Sequence, residues 1–277
     1  MEDDKSLLYA CVIDDLDLIR ERLKNVTPSQ LSKSSQKNGT PLHAAALSDN
    51  RQAVDLLLMA GANLEAGNFL HNNAMLACIE AGKLDMARYL LEKGSVPTRK
   101  GLQNRNALSQ LILYSWDRDF AEYLLALGLD VNATALDKQN LLMDAASGNN
   151  PDAINFLLEY GIDRSHENSA LCWGIIHNAV DAVKLLLDSG TNLDQMYAAC
   201  KGIEKGLYHT TATRENRGDL IRLLLSRGCD FTKAPQRQVV VGIDRTKLSP
   251  LDYARDLLQR WPTATHIKDN IAIIENV

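Results

Sequence analysis

An all-α solenoid of stacked helix-turn-helix repeats is the architecture this 277-residue sequence predicts, and three observations carry it. The string Leu-Leu-x-x-Gly occurs six times, ending on Gly61, Gly94, Gly128, Gly161, Gly190 and Gly228, at spacings of 33, 34, 33, 29 and 38 residues with a mean of 33.4. A period of this length marks units that bury their apolar faces against one another. Aromatic residues make up 5% of the chain and apolar residues 45%, so the core is built of Leu, Ala, Ile and Val, which suits close helix packing better than a β-sandwich. Helix start and stop signals bracket each period.

Taken in order, residues 6–23 read as a capping pair, with Leu7 to Cys11 as first helix and Asp17 to Leu23 as second. Arg22 stands where later units have the first paired Leu, as expected of an outer face that has no neighbour and stays wet. Thr40-Pro41-Leu42-His43-Ala44-Ala45-Ala46 opens the next first helix, Thr as N-cap and Pro at the first helical position, where its missing N–H costs nothing. Equivalent starts at Asn73, Asn106, Asn140, Ser169 and Ser249 use residue types that cap helices. Five residues before the Leu pairs stand Asp85, Asp119, Asp152, Asp181 and Asp219, with Gln52 in the first copy. A carboxylate there accepts from free N–H groups of the first turn and lies at the positive end of the helix dipole. The glycine that closes each string fits the left-handed position after a helix.

The stretch from Thr40 to Ala45 is similar to the T-P-L-H-x-A signature of ankyrin repeats, and Leu57-Leu58-Met59-Ala60-Gly61-Ala62 and the run from Leu127 to Ala133 agree with that family. Later copies keep a capping residue and lose the histidine; Ser249-Pro250-Leu251-Asp252-Tyr253-Ala254 restores the start. The resemblance implies an ankyrin-type α-solenoid with short β-hairpin-like fingers over nearly the whole chain. Residues 1–37 are then an N-terminal capping unit, 38–235 about six repeats, and 236–277 a hairpin finger and C-terminal capping unit of one domain. It also implies that His43 hydrogen-bonds between neighbouring repeats, and that a concave side of finger tips and first helices recognises a protein.

The net charge of -5 and pI of 5.7 argue against a chain-wide nucleic-acid footprint. The acidic start Met1-Glu2-Asp3-Asp4-Lys5 lacks the pattern of a secretory signal, and no apolar run reaches the roughly 18 to 20 residues of a membrane helix. Five scattered cysteines, Cys11, Cys78, Cys172, Cys200 and Cys229, include no C-x-x-C pair and suggest unpaired thiols in a reducing compartment. Cys11, Cys78 and Cys172 fall at or beside small-residue positions and read as apolar fillers. Cys200 with His209, and Cys172 with His177, lack the third member that nucleophilic catalysis or metal binding requires. The phosphate-loop, dinucleotide, zinc-protease and hydrolase motifs are all absent.

Function then belongs to a surface, and residues the period does not explain point to it. Gly67-Asn68-Phe69-Leu70-His71-Asn72 puts two large apolar residues in a finger; Phe69 and Leu70 are either partner anchors or packed on the adjacent finger. Trp116, in the turn Tyr114 to Arg118, is either a hot spot or packing across helices. About 13 extra residues between Lys201 and Arg214 separate the helices of the sixth repeat, and Gln238 to Lys247 reads as an extended hairpin finger. Residues 201–247 hold ten cations and five acids, +5 against -10 for the remainder, which suggests steering of an acidic partner. The partner-binding residues expected are Phe69, Leu70, Trp116, Lys201, Lys205, Arg214, Arg217, Arg237 and Arg245.

These observations make the chain a non-catalytic, monomeric protein-binding module with a protein partner of acidic character, no cofactor, no metal and no membrane. Nucleic acid is disfavoured, and the location is cytoplasmic, or a host cytosol if the protein is a delivered effector. A microbial effector or toxin inhibitor acting through the same surface, an enzyme with its site in the 201–214 insertion, and a nucleic-acid binder acting through the basic segment are the alternatives.

Overall fold

The computed structural model describes residues 6–191, 193, 211–232 and 248–276, and these fall in two compact units, 1–141 and 142–277. Every regular element of more than three described residues is a helix. Unit one holds α1 (Leu7–Val12), α2 (Leu16–Leu23), the short α3 (Pro28–Leu31), α4 (Pro41–Leu47), α5 (Arg51–Met59), α6 (Ala74–Glu80), α7 (Leu84–Glu92), α8 (Ala107–Tyr114) and α9 (Arg118–Ala126). The first helices stack in series, α1 on α4, α4 on α6 and α6 on α8, and each packs against its own second helix. Ala10, Ala45, Cys78 and Leu111 on first helices and Ile19, Leu57, Leu90 and Leu124 on second helices are fully buried.

Unit two holds α10 (Leu141–Ser147) from its second residue, followed by α11 (Pro151–Glu159), α12 (Glu167–His177), α13 (Val180–Asp188), α14 (Gly218–Ser226), α15 (Pro250–Arg260) and α16 (Thr265–Glu275). α12 packs on α13, α13 on α14, and α16 closes this end against α14 and α15. The 201–214 insertion up to Thr210, the Gln238–Lys247 finger, and with them Lys201, Lys205, Arg237, Arg245, Cys200 and His209, lie outside the described residues.

The glycine expectation holds at all six copies. Gly61, Gly94, Gly128, Gly161, Gly190 and Gly228 have φ between 76° and 103°. The residue after each glycine donates its N–H to the carbonyl of the first paired Leu: Ala62 to Leu57 (2.9 Å), Ser95 to Leu90 (3.0 Å), Leu129 to Leu124 (3.2 Å), Ile162 to Leu157 (3.0 Å), Thr191 to Leu186 (3.1 Å) and Cys229 to Leu224 (3.0 Å). This six-to-one bond is the Schellman closure, which uses carbonyls the helix leaves orphaned. Four first helices, α1, α4, α10 and α12, end the same way with Asp14, Asp49, Asn149 and Asn178 left-handed in place of glycine.

Two expectations about helix starts are corrected. Asp85, Asp119, Asp152, Asp181 and Asp219 lie at the second helical position, where they complement the dipole; the side chains that cap stand two places earlier, Asp117 accepting from Phe120 N–H and Asn150 accepting from Ala153 N–H. Asn50 and Asp15 cap α5 and α2 likewise. Ser169 is not a cap, because α12 begins at Glu167 behind a single 3-10 turn, Arg164–His166. That turn replaces a finger, which accounts for the 29-residue interval between Gly161 and Gly190. Thr40, Asn73, Asn106 and Ser249 do cap α4, α6, α8 and α15.

Candidate functional site

The fingers of unit one are reduced to five-residue turns, in each of which the first residue donates its backbone N–H to the carbonyl of the fifth. Ser35 N–H donates to Gly39 O (2.8 Å), Asn68 to Asn72 (2.8 Å), Gly101 to Arg105 (2.8 Å) and Ala135 to Gln139 (2.7 Å). Reversal this tight needs a left-handed residue near its end, supplied by Gly39, His71, Asn104 and Lys138 at φ 60° to 66°. The second residue of each turn forms the tip: Gln36, Phe69, Leu102 and Leu136. Phe69 is 59% exposed, Leu102 40% and Leu136 55%. Three successive fingers thus hold an apolar residue in solvent, at intervals of 33 and 34 residues.

Cations surround the same tips. The windows 33–39, 66–72, 99–105 and 133–139 contain Lys33, Lys37, Arg99, Lys100, Arg105 and Lys138 against one acid, Asp137, whereas residues 1–141 together hold 18 acids and 15 cations. Lys33, Lys37, Lys100 and Lys138 are exposed, and no carboxylate among the described residues pairs with them. Arg99 is engaged, its Nε 3.9 Å from a Glu65 carboxylate that also accepts from Asn73, Ser95 and Val96.

Hydrogen bonds hold neighbouring fingers at fixed spacing. His43 Nε2 donates to Asn72 O (2.9 Å), the link between repeats that the family resemblance implies, while its Nδ1 accepts from Thr40 N–H and Oγ1. Asn72 Oδ1 accepts from Leu102 N–H (3.2 Å), and its Nδ2 donates to Glu80 (2.9 Å). A Cβ on Gly101 would stand 1.9 Å from Asn72 Oδ1, so this finger-to-finger contact requires glycine.

The His43 network suits the neutral imidazole, since a proton on Nδ1 would face the Thr40 N–H donor. Burial lowers the His43 pKa below 6.5, a shift partly offset by the Asn72 carbonyl. The unfolded chain therefore takes up a proton that the folded one resists, so stability is full above pH 6.5 and falls as the pH drops through it. Urea titrations at about pH 7.5 and about pH 5.5 should show a lower midpoint in acid, and H43Q should lose part of that difference. An identical pH dependence in H43Q would exclude this account.

Trp116 is half-buried and stands at the end of α8 opposite the fingers, so the tip row and Trp116 are separated by the length of that helix. Leu70 is half-buried beside Phe69. Arg214 is exposed. Arg217, expected on a charged rim, is corrected: it is 5% exposed and works inside the fold. Its Nη1 and Nη2 donate to Ile175 O (2.5 Å) and Ile176 O (2.7 Å), carbonyls of the last turn of α12. Burial and the nearby Arg214 charge lower its pKa. Leu102 and Leu136 are the exposed finger tips that sequence reading missed; the 33-residue period, applied to the fingers as well as to the helices, would have found them.

Three of the described thiols, Cys11, Cys78 and Cys229, are poor nucleophiles. Burial pushes Cys11 and Cys78 up to about 12 and raises Cys229 too. Among the described residues, no three His, Cys, Asp or Glu side chains group as metal ligands, and no helix is long and apolar enough to cross a membrane.

The family model described as "Ankyrin repeats (3 copies)" matches residues 7–101 and 108–197. The ankyrin repeat domain-containing protein SAT10 of Stachybotrys chartarum is 28% identical over 245 residues, 87% of this chain and 12% of that protein. The human palmitoyltransferase ZDHHC13 is 27% identical over 185 residues, 64% of this chain and 30% of that protein. The chain therefore spans less than a third of the length of these relatives. Its fold is similar to the crystal structure of the ankyrin repeat domain of Bcl-3, a member of the IkappaB family, with TM-score 0.56 and 22% identity over 69% of this chain and 89% of that one. Ankyrin repeats are in general protein-interaction modules. With the family model covering more than half of its residues, and with capped helix pairs recurring at the period that the Leu-Leu-x-x-Gly strings set, the chain belongs to the ankyrin repeat family.

Proposed function

We propose that this chain is a non-catalytic recognition module that binds a protein segment along the finger tips of residues 33–139. One observation carries the reading: Phe69, Leu102 and Leu136 occupy equivalent tips on three consecutive fingers and are held in solvent there. Apolar side chains at regular intervals on a rigid scaffold lose little freedom when covered, so the apolar area they bury is not offset by ordering. Trp116 and the exposed Arg214 are secondary contacts, for a partner that reaches beyond the fingers. Lys201, Lys205, Arg237 and Arg245 belong to the same proposal as steering charges. Within it, the protein acts as a monomer in the cytoplasm, as one array of caps and repeats.

Selection from a peptide-display library tests this. Binders enriched on the wild-type protein should lose at least about tenfold in affinity on F69A/L102A/L136A, a triple change of exposed residues that leaves the helical spectrum unaltered. Binders indifferent to the triple change and lost on R214E would move the site to the basic segment.

A further inference from the structure

The finger row has a shape and a charge that narrow what it takes, and the inference rests on the recognition reading above. Stacked helices lie about 8–10 Å apart, so equivalent tips recur at about that interval. An α-helix returns to the same face after seven residues and about 10.5 Å of rise, with about 20° of drift. Three tips therefore match three consecutive heptad positions of one helix. An extended strand advances about 10 Å in three residues, which turns every second contact to the wrong face.

Glu80, the last residue of α6, accepts from Asn72 at the base of a finger, so its side chain reaches back along α6 to that finger. Leu47, Glu80 and Leu113 occupy equivalent positions on α4, α6 and α8, and the two apolar residues are half-buried. The tips thus form a ledge at one end of the first helices, with half-buried leucines at the other end, a form that a rod can lie along and a flat membrane can touch at the tips alone. Leu102 and Leu136 are aliphatic and offer no face on which a base would stack, which disfavours nucleic acid.

Charge selects the partner's sign. Lys37, Lys100 and Lys138 are exposed on the first, third and fourth fingers without a carboxylate partner among the described residues, and the acid at the far end of α6, Glu80, is engaged by Asn72. We infer that the finger row of residues 33–139 seats an acidic amphipathic helix of a protein partner, its apolar residues at i, i+7 and i+14 on Phe69, Leu102 and Leu136 and its carboxylates on Lys37, Lys100 and Lys138.

The probe is a synthetic peptide of about 22 residues, Glu-rich and helix-favouring, with Leu at three positions seven residues apart. A second peptide of identical composition has the Leu residues five apart, which scatters them around the helix. Titration by fluorescence anisotropy should show the first binding at least about tenfold more tightly than the second. F69A/L102A/L136A should abolish that preference, and K37E/K100E/K138E should slow association and flatten its salt dependence while retaining the fold. Equal binding of the two peptides overturns the helical register. Absence of binding to both overturns the acidic-helix assignment, and if the display library still yields tip-dependent binders, the recognition reading survives without it. Tip-dependent sedimentation with vesicles of about 30% phosphatidylserine, together with no peptide preference, would replace the helix by an anionic membrane.

Discussion

Replacing Arg217 by glutamate is expected to destabilise unit two by about 3–5 kcal/mol, the largest effect of any charge change considered for this protein. The guanidinium is buried and donates to two carbonyls in the last turn of α12, Ile176 O and Ile175 O, the second of which also accepts from Asn178 N–H (3.3 Å). A carboxylate in its place would be buried against Ile175 O and Ile176 O with nothing to donate. The segment it anchors is tied to the same helix end by Asn178 Nδ2, which donates to Asn216 O (2.7 Å), and to α16 by Asn270 Nδ2, which donates to Ala212 O (3.2 Å) and Arg214 O (2.9 Å). R217K should fall between, since one ammonium cannot reproduce the planar pair of donors. R214E, at an exposed position, should stay within about 0.5 kcal/mol of wild type. Chemical denaturation of the three variants checks this. Equal midpoints for R217E and R214E would show that the α12 carbonyls find other donors.

Leu90→Ala is expected to cost about 2–5 kcal/mol and Phe69→Ala less than about 0.5 kcal/mol, although phenylalanine is the larger side chain. Leu90, on α7, is fully buried, so its removal leaves a cavity that packed helices cannot collapse around. Phe69 already meets water over most of its surface. Both residues lie in unit one, which makes their urea midpoints directly comparable, and Leu157→Ala should behave as Leu90→Ala in unit two. If Phe69→Ala proves the more destabilising, the phenyl ring is packed in solution, and the tip row loses its first anchor.

The helices themselves were legible because their signals are local. A capping side chain reaches three residues along its own chain, and a glycine after Leu-Leu-x-x closes its own helix by a six-to-one bond, so Thr40, Asn73, Asn106 and the six glycines mark boundaries without reference to any neighbour. The second-helix acids misled by two residues for the same reason: a carboxylate at the second helical position and one at the cap both favour the first turn, and the sequence pattern is alike for either. Ser169 misled because the finger before it is missing, and a capping residue type has no meaning once the helix already extends past it.

The amino-acid sequence by itself determined the repeat, its period and the family, since these follow from spacing along the chain. The tertiary structure decided which residues carrying the same chemistry face water. Arg214 and Arg217 are three residues apart and equally basic, yet one is exposed and the other bonds to carbonyls 41 and 42 residues away in sequence. Leu102 and Leu136 look like any other leucines in the sequence; their partial exposure follows from their place at the tips of five-residue turns. Burial is a property of what folds over a residue, and in a stack of repeats much of that is a neighbouring repeat about 33 residues away.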